Sequence, residues 1–246
     1  MKISVDEVSG TGAVDEIRPR DNLLLRPPVA NVTQMAVVVA IANPRPNLLL
    51  LDKLIASAEY ANIRPLICWN KSDLDSADDF TGIYKSAGFD TLILSAQTGR
   101  GVDELKKKLK DEVTVFAGNS GVGKSSLLNR IFGEETFATG AVSQRVERGK
   151  HTTRHSELAA LPFGGYIIDT PGFGSFDISL LEIEDMPKLF REFADYTHNC
   201  KFRDCSHTVE QGCGVLAALN DGKISPSRHE SFCALVQEVR EAKKRK

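Results

Sequence analysis

Short apolar runs alternate with helical stretches through the middle of the chain, from Met35 onwards. Three runs are each followed by an amphipathic stretch: MAVVVAIA by LLLLDKLIASAEYA, TLILSA by GVDELKKKLK, and VTVFAG by KSSLLNRIFG. A fourth run, PLICWN, is followed by a loop and a short helical stretch. Continuous apolar runs are typical of strands buried on both faces, so the pattern predicts an α/β fold with a mostly parallel sheet and helices on both faces.

Further along, the segments SELAALP and GYIIDT are separated only by FGG. So tight a connection predicts a hairpin joined to the same sheet. After about Asp177 the strand pattern stops, and a mainly helical segment that carries Cys and His runs to the basic tail EAKKRK.

The first 33 residues differ from the rest because they are rich in turn formers. Pro19, Pro27 and Pro28 favour extended edge or linker structure, so we expect one or two strands there and no closed barrel. The pattern therefore predicts three units, residues 1–33, 34–177 and 178–246.

Composition and charge exclude several classes of protein. The 246 residues are 41% hydrophobic and 26% charged, which is ordinary for a globular protein and excludes a disordered tail, a collagen-like repeat and a small disulfide scaffold. The formal net charge of -2 means that any nucleic-acid partner must meet a local basic patch. No apolar run approaches the roughly 18 residues of a membrane span. The first residues resemble neither a signal nor a transit peptide, so we expect a cytoplasmic protein without a membrane partner. We also expect it to be a monomer.

The motif GNSGVGKS at residues 118–125 lies between an apolar run and a helical run. Glycines at 118 and 123 permit backbone angles that let consecutive N–H groups surround a phosphate, Lys124 supplies charge, and the Ser125 hydroxyl can hold Mg²⁺. The alternative is a chance glycine-rich turn. The predicted phosphate-binding residues are Gly118, Asn119, Ser120, Gly121, Val122, Gly123, Lys124, Ser125 and Ser126.

A second motif, NKSD, ends the run PLICW and comprises Asn70, Lys71, Ser72 and Asp73. A carboxylate at the end of a parallel strand can accept hydrogen bonds from guanine N1 and N2, whereas adenine presents no matching donors, so Asp73 predicts selection of guanine. A solvated turn is the alternative.

The segment that follows TLIL is a third candidate for base recognition. A backbone N–H there is in the right place to contact the purine O6, and the residues concerned are Ser95, Ala96 and Gln97.

Two later segments complete the predicted site. In DTPG, Asp169 can bind a water of Mg²⁺ and the Gly172 N–H can meet a γ-phosphate. In the polar stretch around HTT, Thr153, or with less support Thr152, is the predicted Mg²⁺ ligand when the γ-phosphate is present. A disordered loop is the alternative for this stretch.

The order of these motifs is unusual. In a common G domain the phosphate cradle comes first, but here NKSD and SAQ precede it, as though the chain had been cut after DxxG and its old ends joined. A cut in an exposed loop can leave the sheet and site intact. DTPG now leads directly into the C-terminal segment, and we infer that nucleotide state is relayed there.

A metal site is predicted in the C-terminal segment, where the spacing is C-x4-C-x-H-x5-C. Three thiolates and an imidazole form a closed tetrahedral set for structural Zn²⁺, with His198 as a reserve ligand. A few buried thiols are the alternative. Cys68 and Cys233 lie in apolar contexts and are predicted to be buried thiols, while His155 and His229 receive no role. The predicted zinc ligands are Cys200, Cys205, His207 and Cys213.

Together the permuted motifs and the cysteine set resemble the circularly permuted GTPases of the ribosome small-subunit-dependent GTPase A (RsgA) family, over residues 17–246. The resemblance implies an N-terminal OB barrel, a permuted P-loop G domain at residues 34–177 and a small helical zinc-binding domain at residues 178–246. Residues 1–33 are too few for five barrel strands, so we expect only a truncated OB-like segment or linker there.

The resemblance also implies an activity, which is GTP hydrolysis stimulated by the small ribosomal subunit during late subunit maturation, with contacts to ribosomal RNA. Candidate basic patches for RNA are RGKHTTR, KFR at residues 201–203 and the tail KKRK.

Catalysis needs a group that orients the attacking water. Phe173 follows DTPG where many GTPases carry Gln, and its side chain makes no hydrogen bond, so hydrolysis needs another group. His151 is the candidate because it is close to the predicted Mg²⁺ ligand Thr153 and because the resemblance implies it. A merely solvated histidine is the alternative. With Lys124 and Thr153, His151 completes the predicted catalytic set. One competing hypothesis is a zinc-stapled RNA-binding protein whose G domain only binds guanine nucleotide. Another is an ATP-driven P-loop enzyme, against which Asp73 argues.

Overall fold

The strands and helices follow one another in the order that the apolar runs predict. The computed structural model describes residues 2–6, 11–17, 19–25, 28–133, 157–169 and 181–244. Within these ranges the strands are β1 (Lys2–Asp6), β2 (Thr11–Glu16), β3 (Leu23–Leu25), β4 (Pro28–Ala30), β5 (Gln34–Ala40), β6 (Arg64–Asn70), β7 (Asp90–Ile93), β8 (Val113–Ala117), β9 (Glu157–Ala160) and β10 (Tyr166–Asp169). The helices are α1 (Leu48–Tyr60), α2 (Asp78–Ser86), α3 (Val102–Leu109), α4 (Lys124–Phe132), α5 (Ala194–Thr197), α6 (Gly214–Asn220) and α7 (Pro226–Lys244).

One six-stranded sheet forms the centre of the fold, in the order β7-β6-β5-β8-β10-β9. Every neighbouring pair is parallel except β9 and β10, which form an antiparallel hairpin at the edge. The predicted mostly parallel sheet and its joined hairpin are therefore confirmed. Because the parallel strands share one direction, the carboxyl ends of β6, β7, β8 and β10 all lie along the same edge of the sheet.

The sheet is covered on both faces, because successive side chains of its central strand point to opposite sides. On β5, Met35, Val37 and Val39 pack with α1 and α2, while Ala36 and Val38 pack with α3 and α4. Strands buried in this way account for the continuous apolar runs of the sequence. The helices on both faces confirm that prediction also.

The N-terminal segment contains more strands than the sequence predicts. Two antiparallel hairpins, β1–β2 and β3–β4, stand where one or two strands are expected. The signal is weak because every residue of β2 is exposed, so that strand has no apolar face. In the second hairpin Leu24 and Val29 are buried in the core that also holds β5 and α1.

The C-terminal segment has a core of its own. Two 3₁₀ segments, Ile183–Leu189 and Arg191–Phe193, precede α5, and α6 and α7 follow. Phe190, Phe193 and Phe232 pack together in this core, and Ala56 from α1 is buried among the same residues. Helix α1 therefore packs against both the sheet and the C-terminal helices. No helix in the ranges given above is long and apolar enough to cross a membrane.

A buried arginine joins the C-terminal helices to the sheet domain. The Arg228 side chain on α7 is 1% exposed, and its guanidinium donates hydrogen bonds to Asp52 Oδ1 at 2.6 Å and to Glu192 Oε1 at 2.6 Å. It also lies 4.5 Å from the centre of the Phe190 ring. The Tyr84 hydroxyl donates to the same Asp52 oxygen at 2.7 Å, so the cluster connects α7 with α1 and α2.

The three charged groups of this cluster stabilise one another, because Arg228 pairs with both Asp52 and Glu192. Burial raises the pKa of Asp52, while the Arg228 charge opposes that rise. Burial would lower the pKa of Arg228, but the charges of Asp52 and Glu192 outweigh it and raise the pKa, so the guanidinium stays protonated. Removal of one partner would leave the others charged and buried, which is far more costly than the loss of an exposed ion pair.

We expect Arg228→Met to lower the free energy of unfolding by about 3–5 kcal/mol, because Asp52 and Glu192 lose their counter-charge inside the protein. The measurement is urea denaturation, with Lys85→Met, an exposed substitution on α2, as the control. A change below about 1 kcal/mol would show that the cluster does not hold the two parts together.

Candidate nucleotide and metal sites

Three of the predicted nucleotide segments meet at the carboxyl edge of the sheet. NKSD ends β6, SAQ begins two residues after β7, and the glycine-rich loop follows β8. This edge is where open α/β sheets bind ligands. The segments come together although the two that are predicted to recognise the base precede the predicted phosphate loop in the chain.

Two glycines let the loop after β8 approach its neighbours closely. Gly118 has φ +138°, and a Cβ there would stand 2.2 Å from the Val38 carbonyl oxygen of the adjacent strand. Gly123 has φ +96°, and a Cβ there would stand 2.3 Å from Asn70 Nδ2. Any larger residue at either position would push the loop away from the sheet or from NKSD.

Lys124 begins α4 and turns back over the loop. Its Nζ donates hydrogen bonds to the carbonyl oxygens of Gly118 and Asn119, each at 2.7 Å. The ammonium charge and the N-terminus of α4 therefore face the same small space, an arrangement that favours an anion. Ser125 and Ser126 lie in the first turn of the same helix and are half-buried.

The Asn70 side chain connects the glycine-rich loop after β8 to the SAQ segment after β7. It is 1% exposed, Nδ2 donates to the Val122 carbonyl oxygen at 2.8 Å, and Oδ1 accepts from the Ala96 N–H at 3.0 Å. Since both ends of the amide are satisfied, the position of either segment fixes the other. The sequence predicts Asn70 as a site residue but gives no sign of this double contact.

Asp73 is exposed at this edge and is held by the SAQ segment. The Ser95 hydroxyl donates to Asp73 Oδ1 at 2.5 Å and accepts from the Thr98 N–H at 3.1 Å. The carboxylate is thus oriented by a buried serine while it faces solvent. Next to it, the Ser72 N–H donates to the Leu94 carbonyl oxygen at 3.0 Å, and Lys71 Nζ donates to the Asn43 carbonyl oxygen.

Arg130 is a residue that the sequence analysis misses. It lies near the end of α4 and is exposed, yet its Nε donates to the Ala96 carbonyl oxygen at 2.9 Å and its Nη2 to that of Gln97 at 2.7 Å. An exposed arginine on an amphipathic helix is ordinarily solvated, so the sequence contains no signal for the contact. Only the distance between α4 and the SAQ segment shows it.

Several predicted residues lie beyond the parts of the chain that the structure describes. Of DTPG the structure describes Asp169 alone, whose backbone ends β10 next to β8. The patch RGKHTTR and the last two residues of the basic tail are also outside the described ranges. The individual residues outside them are His151, Thr152, Thr153, His155, Gly172 and Phe173.

The four predicted metal ligands come together in the C-terminal segment. The ligand atoms of Cys200, Cys205, His207 and Cys213 all lie within 4.8 Å of one another. The Sγ atoms of Cys200 and Cys213 are 3.9 Å apart, and His207 Nδ1 is 3.5 Å from each. Tetrahedral zinc would separate two sulfurs by about 3.8 Å and a sulfur from a nitrogen by about 3.6 Å. The cluster therefore has the size and the donor set to bind zinc.

Backbone donors surround the same sulfurs. The Gly214 N–H donates to Cys200 Sγ at 3.3 Å, and the Leu216 N–H to Cys213 Sγ at 3.4 Å, which places Cys213 as the N-cap of α6. Such donors favour the thiolate form that binds metal. His229 has no predicted role, but its Nε2 donates to the His207 carbonyl oxygen at 2.8 Å and so holds that ligand's backbone.

The loop between the ligands is organised by Glu210. Its carboxylate accepts from the N–H groups of Ser206, Thr208 and Val209 at 2.8, 3.0 and 3.1 Å. Burial would raise the pKa of Glu210, but the hydrogen bonds from Ser206 and the backbone outweigh it and lower the pKa to about 2. At neutral pH the Glu210 carboxylate is therefore ionised and accepts these backbone hydrogen bonds, which hold the loop in place.

The remaining cysteines and His198 take no part in the cluster. Cys68 is buried as predicted, and burial raises the pKa of its thiol to about 12. Cys233 is half-buried on α7. His198 is exposed after α5, so the structure gives it no role as a reserve ligand.

Comparison with known proteins agrees with this geometry. A family model described as RsgA GTPase matches residues 17–179. The small ribosomal subunit biogenesis GTPase RsgA of Ruminiclostridium cellulolyticum is 45% identical over 96% of this chain and 78% of its own length. The protein of the same name from Clostridium botulinum (strain 657) is 43% identical over 100% of this chain and 85% of its own.

Two solved structures are similar over almost the whole chain. YjeQ from Thermotoga maritima has a TM-score of 0.80 and 35% identity, with 96% of this chain and 81% of that one covered. YloQ, described as a circularly permuted GTPase, has a TM-score of 0.78 and 30% identity, with 99% and 79% covered.

Proposed function

Since this chain belongs to the RsgA GTPase family and is a GTP hydrolase, we propose that it hydrolyses GTP at the edge formed by β6, β7 and β8, and that the small ribosomal subunit stimulates this reaction late in its own maturation. The relatives named above are called small ribosomal subunit biogenesis GTPases, which supports the second part. The proposed units remain residues 1–33, 34–177 and 178–246, the middle one being the permuted GTPase domain.

One observation carries the assignment of the site. The Asn70 amide bonds both the loop that would hold phosphates and the segment that would hold the base. This contact supports the proposal that two motifs in reversed order form a single site. The nucleotide-binding residues that we propose are the thirteen of the two loops at 70–73 and 118–126, together with Ser95, Ala96, Gln97, Asp169 and Gly172.

The protein groups proposed for catalysis stabilise charge and position water. The Lys124 ammonium and the N–H groups of the loop would stabilise negative charge on the transferred phosphoryl group. His151 would orient the attacking water, because Phe173 has no hydrogen-bonding side chain. Ser125 and Thr153 would hold Mg²⁺, which when bound adds positive charge at the phosphate oxygens. GTP hydrolysis should be slow without the small ribosomal subunit, since the proposed reaction needs Thr153 and His151 to be positioned at the nucleotide together.

The C-terminal segment is the proposed route from nucleotide to ribosomal RNA. Lys201 and Arg203 are exposed on the loop between the metal ligands, and Arg228 connects the same segment to α1. We propose that Zn²⁺ has a structural role there and that the basic loop and tail contact ribosomal RNA. We propose that the chain acts as a monomer in the cytoplasm, without a membrane partner.

We expect small ribosomal subunits to stimulate GTP hydrolysis by this chain, and His151→Ala to remove about a hundredfold of the stimulated rate while the affinity for GDP is unchanged. The measurement is phosphate release with and without small subunits, and His155→Ala in the same stretch is the control. Unchanged turnover would remove His151 from the mechanism. A lack of stimulation in the unaltered chain would favour a protein that only binds the nucleotide.

We expect Asp73→Asn to lower the affinity for GDP about a hundredfold, because a charge-assisted acceptor for guanine N1 and N2 becomes a neutral amide. The amide can donate to the C2 oxygen of xanthine, so xanthosine diphosphate should then bind better than GDP. Calorimetry with both nucleotides measures this, and Asp75→Asn, an exposed acid in the same loop, is the control. A GDP affinity like that of the unaltered chain would exclude Asp73 from base recognition.

We expect the chain to hold about one zinc ion, and Cys213→Ser to abolish its retention, because one of four tetrahedral ligands is lost. Metal content after dialysis measures this, and urea denaturation should show a less stable C-terminal segment. Cys233→Ser, which alters a half-buried thiol outside the cluster, should keep the metal. Equal zinc content in the two variants would contradict the assignment.

A further inference from the structure

Arg130 makes a contact that the proposed nucleotide site does not explain. On α4 the apolar residues Leu127, Leu128 and Ile131 are buried against the sheet, and Arg130 lies on the exposed side. Its planar guanidinium nevertheless donates hydrogen bonds to two successive carbonyl oxygens, those of Ala96 at 2.9 Å and Gln97 at 2.7 Å. Hydrogen bonds from a charged donor are stronger than neutral ones, and a fixed fork sets direction as well as distance.

The neighbouring peptide groups of the SAQ segment are fixed by other partners. The Ala96 N–H donates to Asn70 Oδ1, and the Thr98 N–H donates to the Ser95 hydroxyl. Between them, the Gln97 N–H has no hydrogen-bond partner in the described part of the chain. It is therefore the backbone donor of this segment that remains for a ligand.

The contact with Arg130 determines where that donor points. The carbonyl of Ala96 and the N–H of Gln97 belong to one planar trans peptide, so they point in opposite directions. When Arg130 holds the Ala96 oxygen towards α4, the Gln97 N–H is turned away from α4. The second bond, to the Gln97 oxygen, prevents rotation of the next peptide.

We infer that Arg130 is a positioning residue for guanine, which directs the Gln97 N–H towards the purine O6. Helix α4, which begins with Lys124, would thereby also position the SAQ segment. This inference rests on the proposed function, since it concerns the same nucleotide. It assigns the two ends of the purine edge to different residues, with O6 read through Gln97 and Arg130, and N1 and N2 read by Asp73.

The test compares three nucleotides on the full-length chain by calorimetry. In 6-thio-GDP the O6 is replaced by sulfur, a weaker acceptor, while N1 and N2 are kept, and inosine diphosphate keeps O6 but lacks the N2 amine. We expect Arg130→Ala to lower the affinity for GDP about tenfold and that for 6-thio-GDP less than about twofold. The preference for GDP over 6-thio-GDP should therefore fall by at least about fivefold, while the preference for GDP over inosine diphosphate should stay the same.

Two further variants separate this role from charge and from stability. Arg130→Lys keeps the charge but not the planar pair of donors, so it should recover only part of the lost preference. Lys85→Ala, on the other face of the sheet, should change none of the three affinities. Urea denaturation should give the same midpoint for Arg130→Ala as for the unaltered chain.

The inference fails if Arg130→Ala leaves the preference for GDP over 6-thio-GDP unchanged, or lowers both preferences equally, as a generally loosened loop would. Full recovery in Arg130→Lys would attribute the effect to charge and would also overturn it. In each of these cases GDP still binds to the unaltered chain and the proposed function stands. An unaltered chain that binds no GDP would contradict the proposed function and this inference together.

Discussion

The amide of Asn70 is the contact on which the proposed site depends. A single buried side chain bonds the loop after β8 through Val122 and the segment after β7 through Ala96. Its donor and its acceptor are both used, so neither segment can shift without leaving a polar atom unsatisfied inside the protein. The close approach of Gly123 to the same side chain adds a steric limit. The segments proposed to bind phosphate and base are therefore parts of one rigid unit, although the chain reaches them in reversed order.

The sheet explains why that reversal is tolerated. Parallel strands place their carboxyl ends along one edge whatever the order in which the chain visits them. What the permutation does change is the neighbour of the last strand, because β10 now leads towards the C-terminal helices. The Arg228 cluster offers a second connection between the sheet and the C-terminal segment, since Asp52 stands on α1, which packs against both cores.

How far the sequence predicts this molecule depends on the kind of contact. Gly118 and Gly123 could be recognised because a phosphate loop needs glycine, and the buried strands because they are apolar throughout. Cys200, Cys205, His207 and Cys213 could be grouped because a few residues separate them. The sequence predicts fewer strands than the N-terminal segment contains, since β2 is exposed throughout and has no apolar face. Arg130, Arg228 and His229 were beyond reach, because each gains its role from a partner distant in sequence.

Helix α1 contributes Leu54 and Ile55 to the core of the sheet and Ala56 to the C-terminal core, which has a consequence for how the protein can be divided. A fragment without the C-terminal helices would expose the side of α1 that carries Ala56 and would leave the Asp52 carboxylate without its guanidinium. A fragment of those helices alone would leave the Arg228 and Glu192 pair without Asp52 and the rest of α1. Gene fusions, truncations and crystallisation fragments should therefore keep α1 and α7 on the same polypeptide.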